Sequence, residues 1–535
     1  ALTIDSPMTG HGRDACVSII VDDADAYYRE WSAKVTIPKP PRDEYWNART
    51  FGFRDPSGNT IFVIASDFSN TGQQTSATVN GNVTLKEGNA NNRPANITIT
   101  TGSLDINGNL AMDNASNNAR TTITMSGGAG NLFLSGSFIL TNNLGTLTPG
   151  ATSTFTYDTN STATVATGAA VSYANLVINK AGGTATGSST GTLTAINLTV
   201  QNGDFTTFTA NNLSVTGNLA VSAGALFNIA TTGVATITGT TTATGEVRIS
   251  AASGAKTFTG TVTISAATGK WNNTGNVAVA LAGNLDNNNT AADFISGSGT
   301  YTCTNTRTFG GTGGGLTFDG NLVINGQRTN NTTVEVKGNL SGSNTFINAA
   351  GKTLKIGGNA NAITTLTATA AGNIVEYNGT GAQVMENTTY RHLTISNTTG
   401  PVTLNGNTAI QENLINNGNF NAVTGSFTVT FNGSTAQTIS GTATGSTPAD
   451  QTTFYNLTVT NAAGVTLTGT HNVTVTNTLT LTSGAVVTGA NVLYVSRNAT
   501  AAIARTTGFV EGNLKWNLPT GTPVARTFPV GTGTT

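Results

Sequence analysis

Oxygen-bearing side chains at short spacing are the part of this sequence that comes closest to a metal site. Asp105, Asn107 and Asn109 alternate along one segment, and Asp286 opens an amide-rich run at 286–289. Carboxylate and amide oxygens bind Ca²⁺, so these residues are weak calcium candidates. The same residue types also cap turns, which is the role we favour for them. We therefore expect no bound metal and no cofactor.

Acid–base cleavage of a polysaccharide would need carboxylates, alone or with Lys or Arg, that converge on one groove. The acidic residues after position 70 occur singly along the chain, and His11, His392 and His471 lack metal-ligand spacing. His392 stands where Asn175 and Asn456 stand in related repeats, which indicates a corner residue. The sequence therefore predicts no catalytic residues, and we expect the protein not to be an enzyme.

Composition narrows the class of protein. The chain has 535 residues, of which 64 are Gly, 9% are charged and 7% are aromatic, and its net charge is -1. Clustered Lys and Arg for nucleic acid or anionic membranes are missing, as is an apolar run of about 18 residues that could span a membrane. Cys16 and Cys303 lie far apart, so each is predicted to be a free buried thiol. The sequence begins at Ala1 without Met or a signal peptide, from which we expect a processed or trimmed product.

Two copies of one pattern lie within residues 372–484. Each copy has a strand that ends in Asn-Gly, then Ala-Gln, then a Tyr and a second strand that ends in Asn; the copies begin at Ile374 and Val429. A worn third copy begins at Phe155. Apolar residues on alternate positions indicate strands with one buried face, and Asn and Gly supply tight corners. Such self-similarity is typical of repeat architectures.

Gly-Asn corners recur before short apolar strands from residue 81 to residue 339, at roughly 20-residue spacing where they are densest, which is the length of one β-solenoid coil. The sequence therefore predicts a mainly β fold, a long β-solenoid with almost no helix. We divide it into a Thr/Asn/Gly-rich solenoid at 67–370, tandem Tyr-x-Asn/His-Leu repeats at 371–484 and a terminal β-region at 485–535 that we expect to be truncated. The run at 310–315 is a near miss to a calcium-binding nonapeptide, because Gly315 replaces the ligand Asp.

Residues 1–66 differ from the rest in their Trp, Pro and charged residues. Periodicity and turn residues predict a small α+β module of βαβββ order. Its predicted helix is 23–33, with Asp22 or Asp23 as N-cap. Its predicted strands are 17–21, 35–37, 50–54 and 60–64.

The segments 21–28 (Val-Asp-Asp-Ala-Asp-Ala-Tyr-Tyr) and 51–61 (Phe-Gly-Phe-Arg-Asp-Pro-Ser-Gly-Asn-Thr-Ile), with Trp46 before Arg49, carry a resemblance. They resemble one module of the glyoxalase/bleomycin-resistance/extradiol-dioxygenase (vicinal oxygen chelate) superfamily, whose domains pair two modules around a cleft. Metal-binding members place His on the first strand and Glu shortly after Gly-Asn. Cys16 and Phe62 occupy those positions here, so the resemblance implies a glyoxalase-like half-domain without a catalytic metal. Pairing of modules from two chains into a ligand site is the alternative.

The repeats, the run Leu-Thr-Leu-Thr-Ser-Gly at 479–484, the segment 509–514 and Phe-Pro-Val-Gly at 528–531 carry a second resemblance. Over most of residues 150–531 they resemble the long, adhesin-like secreted surface proteins of the Bacteroidetes group. The resemblance implies an extracellular location at a bacterial cell surface. It also implies further β-domains and a C-terminal secretion signal beyond this sequence.

These patterns predict a structural protein, a cell-surface or biofilm filament subunit or adhesin. We expect its partners to be copies of itself, added head to tail through unpaired strands, or other matrix components. A carbohydrate- or ice-binding solenoid is the first alternative. Ice binding needs Thr-x-Thr in a flat array over successive coils, and such runs occur at 236–238, 474–476 and 480–482, where strand register decides the outcome. A polysaccharide-active β-helix enzyme is the second alternative.

Overall fold

The computed structural model shows a mainly β chain, 51% strand and 3% helix, that forms a β-solenoid of about 18 turns. This confirms the predicted mainly β solenoid, whereas the predicted small N-terminal α+β module stays a prediction. The residues that the structure describes are 2–5, 16–21, 23–43, 48–54, 60–66, 76–86, 95–113, 121–125, 128–141, 144–442, 452–521 and 524–533. They fall into two compact units: unit 1 is Ala1–Gly260 with Ala267–Gly275, and unit 2 is Thr261–Ala266 with Asn276–Thr535.

Short strands make up both units. In unit 1 they are Leu2–Asp5, Cys16–Val21, Arg42–Asp43, Ala48–Arg54, Thr60–Ser66, Ser76–Val79, Asn82–Lys86, Ala95–Thr98, Ser103–Ile106, Leu110–Asp113, Thr121–Thr124, Asn131–Leu134, Phe138–Leu140, Thr146–Thr148, Thr154–Tyr157, Ala163–Val165, Tyr173–Gly187, Leu193–Thr206, Leu213–Val215, Leu219–Val221, Leu226–Ile229, Ala235–Ile237, Thr241–Ala243, Glu246–Ile249, Lys256–Phe258 and Lys270–Asn272. In unit 2 they are Val262–Ile264, Val279–Leu281, Leu285–Asn287, Phe294–Ile295, Tyr301–Cys303, Arg307–Gly310, Leu316–Phe318, Leu322–Ile324, Arg328–Asn330, Thr333–Val336, Leu340–Asn348, Thr353–Ile356, Ala362–Thr367, Ile374–Tyr377, Gln383–Val384, Thr389–Tyr390, His392–Ile395, Val402–Thr403, Thr408–Ile410, Leu414–Asn416, Phe420–Asn421, Thr428–Phe431, Gln437–Ser440, Thr452–Val459, Val465–Leu467, Val473–Leu481, Ala485–Val495, Ile503–Arg505 and Phe509–Trp516. The described helices are the α-helix Ala24–Trp31 and the 3₁₀ turns Ala291–Asp293 and Thr500–Ala502.

Strands one turn apart pair in parallel. In unit 1, Leu213–Val215 pairs with Ala235–Ile237, which pairs with Lys256–Phe258, so the starts of these strands lie 22 and then 21 residues apart. In unit 2, Tyr301–Cys303 pairs in the same way with Leu322–Ile324. The coil is therefore close to the length that the Gly-Asn spacing predicts.

Side chains that point alternately inward and outward along each strand build the core. Leu219 and Val221 are each 1% exposed, whereas Ala220 between them faces outward. Side chains at the same level stack from turn to turn; the rings of Phe205 and Phe227, for example, lie 5.5 Å apart and nearly parallel. Parallel strands about 4.8 Å apart leave no room for loose packing between such levels.

The Gly-Asn corners stack as well. The side-chain oxygen of Asn197 accepts the Asn218 N–H, and that of Asn218 accepts the Thr240 N–H, both at 2.9 Å. A Cβ on Gly239 would lie only 2.4 Å from the backbone of Gly217. Glycine therefore permits the close approach of successive corners, and Asn satisfies the backbone donor of the next turn.

In the first repeat copy, a buried Gln closes a corner from inside. Gln383 donates from Nε2 to the carbonyls of Ile356 (2.9 Å) and Gly358 (3.0 Å), and its Oε1 accepts the Gly379 N–H (2.9 Å) and Asn397 Nδ2 (3.0 Å). The Asn-Gly, the Gln and the final Asn of the repeated pattern are thus one hydrogen-bond network. We call it the corner clamp.

The second copy builds the same corner clamp. Gln437 donates to the carbonyls of Ile410 (2.8 Å) and Glu412 (2.7 Å) and accepts from Gly433 N–H and Asn461 Nδ2, both at 2.9 Å. Buried amides cost stability unless they are paired. Pairing of all four groups explains why these residue types recur together.

Tyrosine pairs form a second repeated contact. The Ala166 N–H donates to the Tyr157 hydroxyl (3.3 Å), and the Tyr173 hydroxyl donates to the Ala166 carbonyl (2.8 Å). Tyr377 and Tyr390 hold the N–H and C=O of one loop residue in the same way, at 2.9 and 2.6 Å. The worn third copy therefore retains a contact of the better-preserved first copy.

The N-terminal helix is close to its prediction. Asp23 is the N-cap of Ala24–Trp31 and accepts the Ala26 N–H at 3.0 Å. The predicted strand 35–37 is wrong, because the Val35 N–H donates to the Trp31 carbonyl at 2.9 Å and continues the helix end as a turn.

The N-terminal strands share a sheet with the solenoid. Cys16–Val21 pairs in parallel with Thr60–Ser66 and antiparallel with Leu2–Asp5, which in turn pairs antiparallel with Asn82–Lys86. The strand Leu2–Asp5 was not predicted. A separate glyoxalase-like half-domain at 1–66 stays a prediction, as do the other predicted boundaries.

Candidate functional site

The first set of calcium candidates lies around the end of the strand Ser103–Ile106. Asn107 Nδ2 donates to Asn80 Oδ1 (2.9 Å), and Asn109 Oδ1 accepts the Ser137 N–H of the next turn (2.8 Å). Both amides thus bridge neighbouring turns, as turn-capping residues do.

Asp105 behaves differently from these amides. Its Oδ1 is buried without a hydrogen-bond partner among the described residues. Burial, and secondarily the nearby charge of Asp158, raises the pKa of the Asp105 carboxyl. The described residues contain no group of three or more His, Cys, Asp and Glu that could hold a metal ion.

Asp286, the other candidate, lies in the strand Leu285–Asn287, and burial raises the pKa of its carboxyl. A Cβ on Gly310 would lie 2.6 Å from its Oδ1, and a Cβ on Gly313 would lie 1.7 Å from the Asn289 carbonyl oxygen. The glycine run 310–315 therefore permits backbone stacking on the amide-rich turn.

Unit 2 aligns charges that are scattered in the sequence. Glu335, Lys355 and Glu376 occupy the same position in successive turns. Lys355 Nζ lies 3.4 Å from Glu376 Oε2. Sequence reasoning missed this alignment, although the spacing of the three residues, close to one turn each, is a signal for it.

In the following turns, Glu412 contacts two residues. Its Oε1 accepts a hydrogen bond from Arg391 Nε at 2.5 Å, and its Oε2 lies against His392 Nε2. Burial lowers the pKa of His392, an effect that Glu412 opposes and Arg391 reinforces. His392 is thus the first residue of a strand and one member of an ion-paired cluster. A carboxylate–imidazole pair can move a proton, but sugar hydrolysis needs a second, suitably placed carboxyl group.

His471 does not belong to a set of metal ligands among the described residues. His471 is fully buried, with Nε2 2.7 Å from the Thr452 hydroxyl and Nδ1 3.3 Å from the Gly441 carbonyl. Burial lowers its pKa, so the neutral imidazole is favoured. His11 lies outside the described residues.

Buried cations were missed by sequence reasoning. Lys256 Nζ donates to the carbonyls of Gly233 (3.0 Å), Ser253 (2.8 Å) and Gly254 (2.9 Å). Burial lowers its pKa to about 8, while three acceptors match the three N–H donors of the ammonium group. Lys256 therefore stabilises a corner by satisfying three of its backbone carbonyls.

Cys303 is free and buried, as predicted, and burial raises the pKa of its thiol to about 11. In the N-terminal segment, the backbone pairs Cys16 with Thr60 and Ser18 with Phe62. The side chains of Cys16 and Phe62 lie outside the description, so the prediction that they hold no metal stays a prediction.

One face of unit 1 carries a hydroxyl at the same outward position in successive turns, through pairings that run from Ala95–Thr98 to Lys256–Phe258. We call this the hydroxyl face. Its first column in the described residues is Thr98, Thr124, Thr148, Ser172, Thr194, Ser214, Thr236 and Thr257.

A second column lies two residues after the first, just past the ends of the last three strands of this face. Thr216, Thr238 and Thr259 are exposed, and the N–H groups of Thr238 and Thr259 continue the backbone ladder to the preceding turn at 2.8 and 2.9 Å. Of the predicted Thr-x-Thr runs, 236–238 therefore belongs to an array. The run 474–476 does not supply one, because Thr474 is only 4% exposed. The run 480–482 does not supply one either, because Ala504 occupies the position of Thr480 in the next turn.

Comparison with protein-family models, with curated proteins and with solved structures finds no match for the chain. None of the described helices is long and apolar enough to cross a membrane. Function must therefore be argued from the geometry above.

Proposed function

We propose that the protein is a structural β-solenoid of the bacterial cell surface, a filament subunit or adhesin outside the cell without catalytic activity. The observation that carries this proposal is the corner clamp, which occurs twice with the same arrangement: two carbonyls, one Gly N–H and one Asn amide around a buried Gln. A clamp of this kind serves shape rather than chemistry, because both polar atoms of the Gln side chain are buried and hydrogen-bonded.

The charged residues support the same role. Lys355 pairs with Glu376 in the column, and Arg391 pairs with Glu412 in the neighbouring cluster. Exposed pairs contribute only about 0–1 kcal/mol each, so the stability of the fold rests on the packed interior and on buried hydrogen bonds.

In this proposal the N-terminal segment protects a sheet edge. Leu2–Asp5 covers one side of Asn82–Lys86 by antiparallel pairing. Ala95–Thr98 is the edge strand of a three-stranded sheet, and Thr121–Thr124 is its one strand neighbour among the described residues. This edge can accept a strand of another copy, which would allow growth from subunit to subunit.

Electron microscopy and fibre diffraction of the purified full chain test the polymer. We expect filaments that grow with protein concentration and a reflection near 4.8 Å along the fibre. Immunogold labelling of intact bacterial cells that express the gene tests the location. A chain that stays monomeric at high concentration and labels only permeabilised cells would overturn the proposal.

A further inference from the structure

We propose that the hydroxyl face of unit 1 binds ice, with ordered water itself as the ligand. This inference is independent of the structural role, because it concerns one outer face and not the interior. The part that carries it is the double column Ser214, Thr236 and Thr257 with Thr216, Thr238 and Thr259.

Strand pairing places these hydroxyls at regular intervals. Parallel strands repeat about every 4.8 Å across the turns. In each turn the second hydroxyl stands two residues after the first, one residue past the end of the strand. The six hydroxyls therefore form a two-dimensional grid. Soluble ligands do not require a repeat of this kind, whereas a crystal surface does.

The grid lies directly over buried core residues. Val215, Ile237 and Phe258 lie between the two columns and are fully buried, so each strand is fixed from below. Thr has a restricted χ1 angle, which lowers the entropy lost on binding. At one border of the grid, Gly217, Gly239 and Gly260 stack without side chains.

The hydroxyls of the grid are available to a ligand. None of the six donates to or accepts from another described residue, whereas Thr232 and Thr240 at neighbouring corners use their hydroxyls internally (2.8 and 2.9 Å). Each free hydroxyl can both donate to and accept from water.

The chemistry of the grid favours ice over a polysaccharide. A sugar hydroxyl that replaces water at a threonine exchanges one neutral hydrogen bond for another, which yields little net free energy. The six positions offer no charged or bidentate group and no aromatic ring that would add to it. When the ligand is ice, the bound water becomes part of the lattice and the hydroxyls need not be desolvated.

Inhibition of ice recrystallisation by the full chain is the direct test. We expect the wild type to inhibit, Thr238→Tyr to lose the inhibition because its ring stands above the grid, and Thr242→Tyr to retain it. Thr242 is the matched control, since it is exposed on another face of unit 1. Circular dichroism melts identify any variant that fails to fold, in which case Thr238→Val, which removes only the hydroxyl, replaces Thr238→Tyr and is expected to weaken inhibition.

Three results would overturn the inference. They are an inactive wild type, equal inhibition by Thr238→Tyr and Thr242→Tyr, or binding of the wild type to crystalline cellulose or chitin without any effect on ice. Each of them leaves the filament experiments unaffected, so the two proposals fail separately.

Discussion

Replacement of Gln383 by Met tests the corner clamp. Met has nearly the volume of Gln but cannot take part in the four hydrogen bonds that Gln383 makes from a position that is 1% exposed. The change therefore isolates the polar contribution from the packing contribution. We expect a large loss of stability in unit 2.

The size of the expected stability loss depends on which hydrogen bonds each partner of Gln383 keeps in the variant. The Ile356 carbonyl still accepts the Asn378 N–H, and the Gly358 carbonyl still accepts Asn361 Nδ2. Asn397 Nδ2 keeps its bond to the Gly381 carbonyl. Only the Gly379 N–H is left unpaired. An orphaned buried donor costs about 1–3 kcal/mol and each of the three replaceable bonds about 0.5–1 kcal/mol, so the free energy of unfolding should fall by about 2.5–6 kcal/mol.

Urea unfolding measures this loss of stability. Hydrogen exchange of peptides from unit 2 shows where in the chain it occurs. Gln437→Met should cost a similar amount, because the second clamp has the same geometry. Gln201→Met is the matched control, since Gln201 is exposed in unit 1, and should change stability by less than about 0.5 kcal/mol. A Gln383→Met variant as stable as this control would refute the claim that the clamp stabilises the repeat.

Three further changes probe other contacts. Tyr390→Phe removes the hydroxyl bond to a loop carbonyl, and thermal melts should show a loss of about 1–2 kcal/mol; an unchanged melting temperature would exclude a stabilising tyrosine pair. His471 has a folded-state pKa below its unfolded value of about 6.5, so stability should fall as pH drops through that value towards the folded pKa. Melts from about pH 7.5 to about pH 5 should therefore show a steeper decline for the wild type than for His471→Gln, and parallel curves would contradict the assignment. Gly313→Ala should destabilise strongly, because its Cβ would overlap the Asn289 carbonyl, whereas Gly168→Ala, whose nearest contact is 3.8 Å, should be tolerated; equal melts would argue against the close stacking.

Local pattern was enough to predict the mainly β solenoid, because burial on one face of a short strand imposes period two and each corner needs Gly or Asn. Ala220 between Leu219 and Val221 shows how directly the alternation translates into burial. The helix Ala24–Trp31 was also predictable from its cap at Asp23. The failure at 35–37 has a local cause, since the Trp31 carbonyl captures backbone donors that an extended strand would have left free.

Relations between turns were harder to predict. The alignment of Glu335, Lys355 and Glu376 depends on coil lengths that vary by a residue or more, and one extra residue would move a side chain to the other face. The hydroxyl face depends on the same register over many turns. Neither Asp105 nor Asp286 could be judged from sequence, because ligand geometry depends on contacts between turns.

Engineered disulfides test the central claim, that successive turns stack in register. In a background with Cys16 and Cys303 replaced by Ser, Thr236→Cys with Thr257→Cys places two outward thiols on paired positions about 4.8 Å apart, within the range that a disulfide spans. Thr236→Cys with Thr242→Cys, on different faces, is the control. We expect rapid oxidation of the first pair to an intramolecular disulfide and none in the control, as read by thiol labelling and mass spectrometry of peptides. Failure of the first pair to close, or equal closure of both pairs, would contradict the stacked solenoid.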